Sequence, residues 1–359
     1  SSSSPASFAV LVAPCFVTGT LIATPDGPRP VEVLRAGDRV LTHGGQVRPV
    51  RWVGRRSLDL ARHPAPHSAC PIRIRAGALA EGVPSRDLRV SPEHAMYLQG
   101  GLVPARLLVN GATILRETDC TRVTYHHVEL DTHDILLAEG APSESYLDTG
   151  NRGLFENAGA PLMLHPTFED GQAGRVGRSC APLWTEAAVV EPIWRGLAER
   201  AAALGAAVAG PAVTQDAAPR LLVDGRTLRP LLLRGDVMTF VVPAGAASIR
   251  LLSHASAPHA VRPWEEDSRA LGLSVRRIRV SEAGVVRDVP LDHPGLTDGW
   301  WAVEGVGSGA WRWTSGDAVL PLGAGGTRMI EITAGRLEAY LLAPARDEGP
   351  AGPQAQHPA

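Results

Sequence analysis

Between residues 15 and about 140 the sequence breaks into short apolar runs separated by turn signals, and this pattern limits the possible folds more than any other feature. The first runs are "TLIAT", "VEVL" and "RVLTHGGQVRPVRWVG", separated by "PDGPRP" and "AGD". Glycine supplies the positive φ that tight hairpin turns need, as in "PDG" and "HGG". Short runs between such turns are typical of strands. The sequence therefore predicts a compact all-β domain over residues 15–150.

A second β-rich domain is predicted after a single helix. In "EPIWRGLAERAAALG" the apolar residues keep helical spacing, Pro192 suits a first helical turn and Gly205 suits the stop. Strand-like runs then return, among them "MTFVV", "SVRRIRVS" and "RMIEIT". We therefore expect residues 189–345 to form a β-sandwich-like domain capped by the helix.

The remaining parts of the chain are predicted to flank or join these domains. Residues 1–14 form an upstream flanking segment, and residues 151–188, which are looser in composition, form a linking segment. Residues 346–359 are low in apolar side chains, so we expect a disordered tail.

Composition agrees with two folded domains and argues against some partners. The chain has 359 residues, 44% of them hydrophobic, with 38 Gly and 30 Pro, which suffices for the cores of about two turn-rich domains. Because 35 Lys and Arg stand against 37 Asp and Glu, the net charge is −2, and we predict no nucleic-acid partner. No run reaches the roughly 18 apolar residues of a membrane span, so none is predicted.

The cysteines favour neither a disulfide scaffold nor a zinc ribbon. They lie far apart without CxxC pairing, at Cys15, Cys70, Cys120 and Cys180. His63, His67 and Cys70 have a spacing that a metal could use, but their segment holds two prolines and lacks a fourth ligand. We predict no metal site and no cofactor.

Cys15, in "APCFVTGTLIAT", can either pack as a small apolar side chain or attack as a thiolate. Candidate partners lie in "LRVSPEHAMYL", where Ser91 and His94 are three residues apart just after a predicted strand and Pro92 favours a tight turn. A hydroxyl and an imidazole at this spacing can face one backbone group. His94 can then donate a proton to an amide nitrogen while Ser91 orients the carbonyl.

Three further histidines lie within eight residues in "YHHVELDTHDILLAEG", at His126, His127 and His133. Side chains alternate between the two faces of a strand, so His126 and His127 are expected on opposite faces. At most one of this pair can share a cavity with Cys15.

Together, these segments resemble a known family. "CFVTGTLIATPDGPRPVEVLRAGDRVLT", "SPEH" and "HVELDTHDILLAEG", in this order and span, resemble the Hint domain, the autoprocessing module shared by hedgehog carboxy-terminal domains and inteins. The resemblance covers residues 15 to about 150 and is to the bacterial Hint proteins in particular. It implies a horseshoe-like all-β fold with both chain ends near the nucleophile, and it alone suggests an exported bacterial protein.

The resemblance also implies a reaction at the scissile Pro14–Cys15 bond. Cys15 attacks the Pro14 carbonyl in an N–S acyl shift that gives a thioester, His94 protonates the departing nitrogen, and Ser91 or a backbone N–H steadies the oxyanion. The substrate is the chain's own upstream segment, and water or a thiol is the acceptor.

Two histidines join the implied site by position. His127 falls near the place where many family members carry an aspartate that tunes the nucleophile, and His133 matches the family's later histidine.

The sequence also departs from the intein pattern. Inteins end this module with a His-Asn pair, whereas Asn151 here has Gly150 before it and Arg152 after it, so cleavage at one junction is expected rather than splicing. The ring of Pro14 restrains the acyl residue, which predicts that processing is slow or lost.

An alternative function lies in the second domain. Trp300, Trp301, Trp311 and Trp313 invite carbohydrate stacking, although the alternation of Trp311 and Trp313 on one side of a predicted strand favours core packing. In this alternative the Hint module is a poorly active scaffold in a surface or secreted binding protein, and the carboxy-terminal domain recognises carbohydrate or protein.

Overall fold

The computed structural model describes residues 14–159, 175, 177–206, 210 and 212–342, and over these residues the chain is mainly β-strand. The predicted all-β class is confirmed. The predicted tail and nearly all of the predicted upstream segment lie outside the described residues, as do residues 160–174 and 176 of the predicted linking segment.

The chain divides into two compact units. The first spans Ser1–Ala209 together with Pro263–Glu266, and the second spans Gly210–Arg262 together with Asp267–Ala359. The predicted boundary at residue 189 therefore differs from the structure.

Within the described residues, the first unit contains short strands, helices and 3₁₀ turns. The strands are β1 (Phe16–Val17), β2 (Leu21–Ile22), β3 (Arg29–Pro30), β4 (Arg39–Leu41), β5 (Val47–Asp59), β6 (Ile72–Ile74), β7 (Leu88–Val90), β8 (Ala95–Leu98), β9 (Gly101–Pro104), β10 (Ile114–Arg116), β11 (Arg122–Leu130), β12 (Ile135–Ala138) and β13 (Ala141–Glu144). The helices are α1 (Pro66–Ala69) and α2 (Ala187–Ala203), and the 3₁₀ turns are Val31–Val33, Ala105–Leu108 and Arg152–Leu154.

Two antiparallel sheets organise these strands. One has the order β10-β6-β7-β1-β11-β5-β4 and the other β3-β2-β12-β13-β8-β9. The very short β1 lies inside the first sheet, where Phe16 pairs with Val90 on one side and with His126 on the other. The residue just before β1 is Cys15, so the sheet holds the candidate nucleophile between β7 and β11.

The predicted turn chemistry is present between β4 and β5. Gly45 has a φ of +75°, a conformation that favours glycine. Its N–H donates to the Thr42 carbonyl at 2.9 Å, and the Thr42 N–H donates to the Gln46 carbonyl at 2.9 Å. The "HGG" signal therefore marks a real hairpin.

Helix α2 belongs to the first unit, whereas the sequence placed it with the second domain. Its buried residues Val190, Ile193 and Leu197 join the apolar core that contains Phe16 and Trp264. The periodicity identified the buried face correctly but carried no information on which unit covers it.

The two ends of α2 compare differently with the prediction. Gly205 follows the helix with a φ of +74°, as expected of a helix stop. The helix begins at Ala187, however, so Pro192 lies inside it rather than in its first turn.

Part of the predicted linking segment also belongs to the first unit. The Leu102 N–H donates to the Pro182 carbonyl, and the Trp184 N–H donates to the Leu102 carbonyl, each at 2.8 Å. Gly101 permits this contact, because a Cβ there would lie 2.3 Å from the Trp184 ring. Residues 182–184 therefore line the edge strand β9.

The second unit is a β-sandwich with short connections. Its strands are β14 (Val213–Thr214), β15 (Arg220–Val223), β16 (Arg226–Leu228), β17 (Leu232–Arg234), β18 (Val237–Val242), β19 (Ile249–Leu252), β20 (Leu273–Glu282), β21 (Val285–Val289), β22 (Trp300–Glu304), β23 (Trp311–Thr314), β24 (Asp317–Val319), β25 (Arg328–Arg336) and β26 (Tyr340–Leu341). Helix α3 (Pro258–Val261) and a 3₁₀ turn (Gly307–Gly309) complete it.

One core joins the two larger sheets of this unit. A four-stranded sheet has the order β16-β15-β19-β24, and a larger one has the order β17-β18-β25-β20-β23-β22, with β21 paired to β20. Leu221 and Leu251 from the smaller sheet share a cluster with Phe240, Ile278 and Ile330 from the larger one. This arrangement confirms the predicted sandwich-like domain.

No helix within the described residues is long and apolar enough to cross a membrane.

Candidate active site

Cys15 and Ser91 are joined by two reciprocal hydrogen bonds. The Cys15 N–H donates to Ser91 Oγ at 2.8 Å, and the Ser91 N–H donates to the Cys15 carbonyl at 2.8 Å. Both residues are buried, with 1% of Cys15 and none of Ser91 exposed. The Ser91 hydroxyl therefore lies at the nitrogen of the Pro14–Cys15 bond, whereas the sequence led us to expect it at the carbonyl.

The predicted turn places His94 beside this pair. The His94 N–H donates to the Ser91 carbonyl at 3.1 Å across Pro92 and Glu93, and the His94 carbonyl accepts from the Ala105 N–H at 2.9 Å. The backbone of His94 is thus fixed at both its polar groups. Its ring packs against Phe16, with 4.3 Å between ring centroids.

The His94 ring is buried and uncommitted. Among the described residues, neither Nδ1 nor Nε2 has a hydrogen-bond partner. Burial lowers the pKa of His94 from 6.5 to about 4, despite the opposing charge of Glu144. At neutral pH the ring is therefore uncharged, with one nitrogen able to accept a proton and the other able to donate one.

His127 lies against His94, whereas His126 does not. The rings of His127 and His94 meet edge to face with centroids 5.8 Å apart, and the Tyr146 ring lies 4.8 Å from His127. Burial and the neighbouring His94 hold the pKa of His127 well below 6.5. His126 instead contacts the Thr18 hydroxyl, with Nε2 2.9 Å from Oγ1. The two side chains lie on opposite faces of β11, as the alternation predicted.

His133 is brought to Glu144 rather than to Cys15. Its Nδ1 accepts from the Cys180 N–H at 3.0 Å, and its Nε2 lies 3.6 Å from Glu144 Oε2. Glu144 also accepts the Ala95 N–H at 2.9 Å and forms an ion pair with Arg175 at 2.9 Å. Glu144 binds the backbone of Ala95, the residue next to His94. His133 is therefore linked to the site through Glu144.

Glu144 is a buried anion. Burial alone would raise its pKa, but the interaction with His133 and the charge of Arg175 together hold the pKa well below its usual 4.5. Since its charge raises the pKa of His94, Glu144 makes protonation of that ring easier than burial alone would allow.

The Cys15 side chain lies in an apolar cluster with Val17, Tyr125, Tyr146 and Phe155. Burial raises the pKa of the Cys15 thiol well above its usual 9.0, although the charge of Arg56 opposes this. The resting residue is therefore a thiol rather than a thiolate.

Gly54 on β5 makes room for this cluster. A Cβ at Gly54 would lie 2.7 Å from Phe155 Cδ1 and 2.4 Å from Trp52 Cη2, so only glycine allows both rings to pack there. The rings of Trp52 and Phe155 meet edge to face at 5.2 Å.

Pro14, the acyl residue of the predicted scissile bond, borders a cavity of about 220 Å³ and is half-buried. The cavity is lined by apolar, uncharged polar and charged residues of the first unit, namely Glu93, Pro104, Arg106, Leu147, Thr149, Asn151, Arg175, Leu183, Thr185 and Glu266. Asn151 is held there by the Tyr146 hydroxyl, which donates to its Oδ1 at 2.6 Å.

Sequence reasoning missed several of these groups. Glu144, Tyr146, Phe155 and Arg175 follow no recognisable catalytic spacing, and Phe155 and Arg175 fall in the predicted linking segment. The buried-strand pattern around "PSESY" indicates that the carboxylate of Glu144 needs a partner. Nothing in the sequence indicates that this partner is Arg175.

The other sites considered from sequence have structural roles or remain predictions. His63 Nδ1 accepts from the Ala65 N–H at 3.1 Å, and within the described ranges no group of three or more His, Cys, Asp or Glu side chains is arranged to hold a metal ion. Trp300 joins the core of the second unit, but Trp311 and Trp313 stay half-exposed outside it. Core packing thus explains one of these tryptophans, and carbohydrate binding stays a prediction.

Buried neutral histidines predict a loss of stability in mild acid. Above pH 6.5 His94 is neutral in both the folded and the unfolded chain. Between pH 6.5 and about pH 4 the unfolded chain binds a proton at His94 that the folded chain does not bind. His94 alone should therefore cost about 3 kcal/mol of stability over this window. Hydrogen exchange of β11 peptides in a urea series at pH 7 and pH 4.5 measures it.

The matched variant for this measurement is His94→Gln, which removes the titrating group. Its β11 peptides should lose clearly less protection than the wild type between the two pH values, because His94 no longer titrates and only the burial-lowered pKa values of His126 and His127 still act there by this mechanism. Glu144 protonates at lower pH and does not enter this window. Equal losses in the two proteins would contradict the assignment.

Comparisons with known proteins found one family and several solved structures that resemble part of this chain. A family model described as a Hint domain matches residues 14–150. Among solved structures, a bacterial intein-like domain from Clostridium thermocellum is 17% identical, covers 38% of this chain and 100% of its own, and has a TM-score of 0.27. The gp41-1 intein is 15% identical, with 37% and 98% covered and a TM-score of 0.27. No curated protein matches the chain.

Proposed function

Because residues 14–150 are a Hint domain, a module with a general capacity for self-processing, we propose that this chain cleaves its own Pro14–Cys15 bond. The proposed reaction is an N–S acyl shift from the amide nitrogen to the Cys15 sulfur, followed by attack of water or a thiol on the thioester. The substrate is the chain's own upstream segment, and the two chain parts are not spliced.

The observation that carries this proposal is the hydrogen bond from the Cys15 N–H to Ser91 Oγ at 2.8 Å, with His94 in the following turn. An amide is a poor electrophile, so its nitrogen must receive a proton as the carbon–nitrogen bond breaks. Ser91 supplies a hydroxyl at that nitrogen, and His94, three residues later, supplies an imidazole without a hydrogen-bond partner among the described residues.

The resting protonation states support a proton shuttle through His94. Cys15 begins as a thiol and His94 as a neutral ring, because burial raises the pKa of the one and lowers that of the other. In the first step the thiol proton passes to His94 while the sulfur attacks the Pro14 carbonyl carbon. In the second step His94 returns the proton to the Cys15 nitrogen as the carbon–nitrogen bond breaks, which leaves a thioester and a free amine.

Ser91 supports the second step as an orienting group. Its hydroxyl accepts the Cys15 N–H, so it fixes the direction of the amide nitrogen and can relay the proton from His94. The two strand-like bonds between Cys15 and Ser91 keep this nitrogen in place while the carbonyl changes geometry.

The cavity beside Pro14 supports the final step. Water or a small thiol in this space can reach the acyl carbon, adding to it and displacing the Cys15 sulfur, which regains a proton. With water the released segment ends in the Pro14 carboxylate. Asn151 borders the same cavity, but Gly150 rather than a histidine precedes it, which fits cleavage at one junction.

A full-chain fusion tests the proposal. A marker protein is joined upstream of Ser1, the purified precursor is incubated with dithiothreitol or hydroxylamine, and intact masses are measured. We expect a released fragment that ends at Pro14 and a remaining chain that begins at Cys15. In a Pro14→Ala fusion, release should be faster by about tenfold, because the proline ring no longer restrains the acyl residue.

If the wild-type and the Pro14→Ala fusions are both correctly folded and both stay intact, the proposal is contradicted. This result would instead favour the scaffold alternative, in which recognition by the second unit is the function.

A further inference from the structure

We infer that the guanidinium of Arg56 stabilises the negative charge that forms on the Cys15 sulfur during the acyl shift. This inference rests on the proposed function, but it concerns the ionisation of Cys15 and can be tested without cleavage. Arg56 has no place in the sequence motifs considered above and acts as a positioning residue through its charge.

The sheet register places Arg56 on the same face as Cys15. Val17 pairs with Tyr125, which pairs in turn with Arg56 across the next strand. Because side chains alternate along strands, Cys15 and Val17 share a face, and Arg56 lies on that face of β5.

The neighbours of Arg56 along β5 agree with this placement. Trp52 and Leu58 occupy the same face and pack against the apolar cluster that contains Cys15. Gly54, between Trp52 and Arg56, carries no side chain. The guanidinium therefore adjoins the cluster around the Cys15 thiol.

The guanidinium keeps an unused donor. Within the part of the chain that the structure describes, the buried Nη1 of Arg56 has no hydrogen-bond partner. A buried donor without an acceptor costs free energy, and a buried arginine normally binds a carboxylate or a carbonyl. The Cys15 thiolate, which forms only when the thiol loses its proton, is an acceptor that accounts for the unpaired Nη1 donor.

Of the two charged groups that act on Cys15, Arg56 is the one that attracts a negative charge on its sulfur. Arg56 and Glu144 act on Cys15 with opposite signs. Glu144 is held by Arg175 at 2.9 Å and by the Ala95 N–H, so its charge is largely offset. Of the neutral groups on this face, Tyr125 donates its hydroxyl to the Ala69 carbonyl at 2.7 Å and is not available to the sulfur.

The charge of Arg56 is not offset by an ion pair with Glu156. Glu156 acts on Arg56, but its Oε1 accepts the Ser57 N–H at 2.7 Å and its Oε2 lies 3.9 Å from Arg55. The carboxylate is thus shared with the backbone and with the adjacent arginine.

Arg55 provides a matched control on the same strand. It is exposed, pairs with His126 in the register, and lies on the opposite face of β5. Removing its charge changes the net charge of the chain by the same amount without removing a charge beside Cys15.

The experiment measures the ionisation of Cys15 directly. Full-chain wild type and the variants Arg56→Gln, Arg56→Met, Arg56→Lys and Arg55→Gln are treated with iodoacetamide across a pH series, and modification of the Cys15 peptide is followed by mass spectrometry. Only the thiolate reacts, so between folded variants in which the sulfur is equally accessible the rate follows ionisation. Circular dichroism establishes that each variant is folded.

We expect Arg56→Gln and Arg56→Met to alkylate about tenfold more slowly than the wild type at each pH of the series, because a smaller fraction of the thiol is ionised. Arg56→Lys should recover most of the wild-type rate, and Arg55→Gln should match the wild type. The Met variant retains an apolar stem and serves if the Gln variant does not fold. A merely structural Arg56 would leave the alkylation profile of folded variants unchanged, and this result overturns the inference.

Cleavage of the upstream fusion distinguishes this inference from the proposed function. If the Arg56 variants shift the alkylation profile while the wild-type precursor never cleaves, the electrostatic assignment stands and the proposed function fails. If the wild type cleaves and the folded Gln and Met variants share its alkylation profile, the proposed function stands and the inference on Arg56 fails.

Discussion

Replacing Cys15 with alanine is expected to abolish release of the upstream segment from the fusion precursor, even in excess dithiothreitol. The variant has no sulfur to accept the acyl group, and no other nucleophile lies at the Pro14 carbonyl in the proposed reaction. Mass measurement of the intact precursor over several days reports the loss. Cys15→Ser should show little or no release, since a hydroxyl is a far weaker nucleophile than a thiolate.

Cys70 supplies the control for this variant. It is a second buried cysteine in the same apolar cluster, so Cys70→Ala removes the same atoms from the same surroundings. We expect Cys70→Ala to retain cleavage. Release from a folded Cys15→Ala precursor would show that the bond breaks by another route, and the cysteine assignment would then be withdrawn.

His94→Gln is expected to slow cleavage by roughly 10²–10⁴-fold, the usual contribution of a general acid or base. Glutamine fills much of the same space but cannot carry a proton from the thiol to the departing nitrogen. The rate of thioester capture by hydroxylamine, measured by mass between pH 5 and 9, is the readout, because it follows the acyl shift itself.

His126→Gln is the matched control for His94. His126 lies on the face of β11 opposite to His127 and contacts Thr18. It should cleave at the wild-type rate. His127→Gln separates the roles of the two buried rings, because His127 packs on His94 but lies on β11 rather than in the Ser91 turn. A His94 variant that cleaves normally beside an inactive His127 variant would transfer the shuttle role to His127.

Much of the candidate site followed from local sequence signals. The turn from Ser91 to His94 depends on Pro92 and on one short loop, and the opposite faces of His126 and His127 depend on strand alternation alone. Such features are encoded within a few residues, so the sequence predicts them well.

The missing parts depend on residues that are far apart along the chain. Arg175 reaches Glu144 across 31 positions, and Arg56 meets the face of Cys15 only through the register of β1, β11 and β5. The placement of α2 is a similar case, because its apolar face fits any apolar partner and Trp264 supplies one from beyond the first unit's main segment. No local pattern records such pairings.

The position of β1 has a consequence for how often the protein can act. Phe16–Val17 is held on both edges by neighbouring strands, so it stays in the sheet after the proposed cleavage, with the new amino terminus at Cys15 still seated. The product thus occupies its own substrate position and bars a second substrate from entering. Each polypeptide would react once in its lifetime, so the amount of cleaved product would follow the number of chains synthesised rather than a catalytic rate.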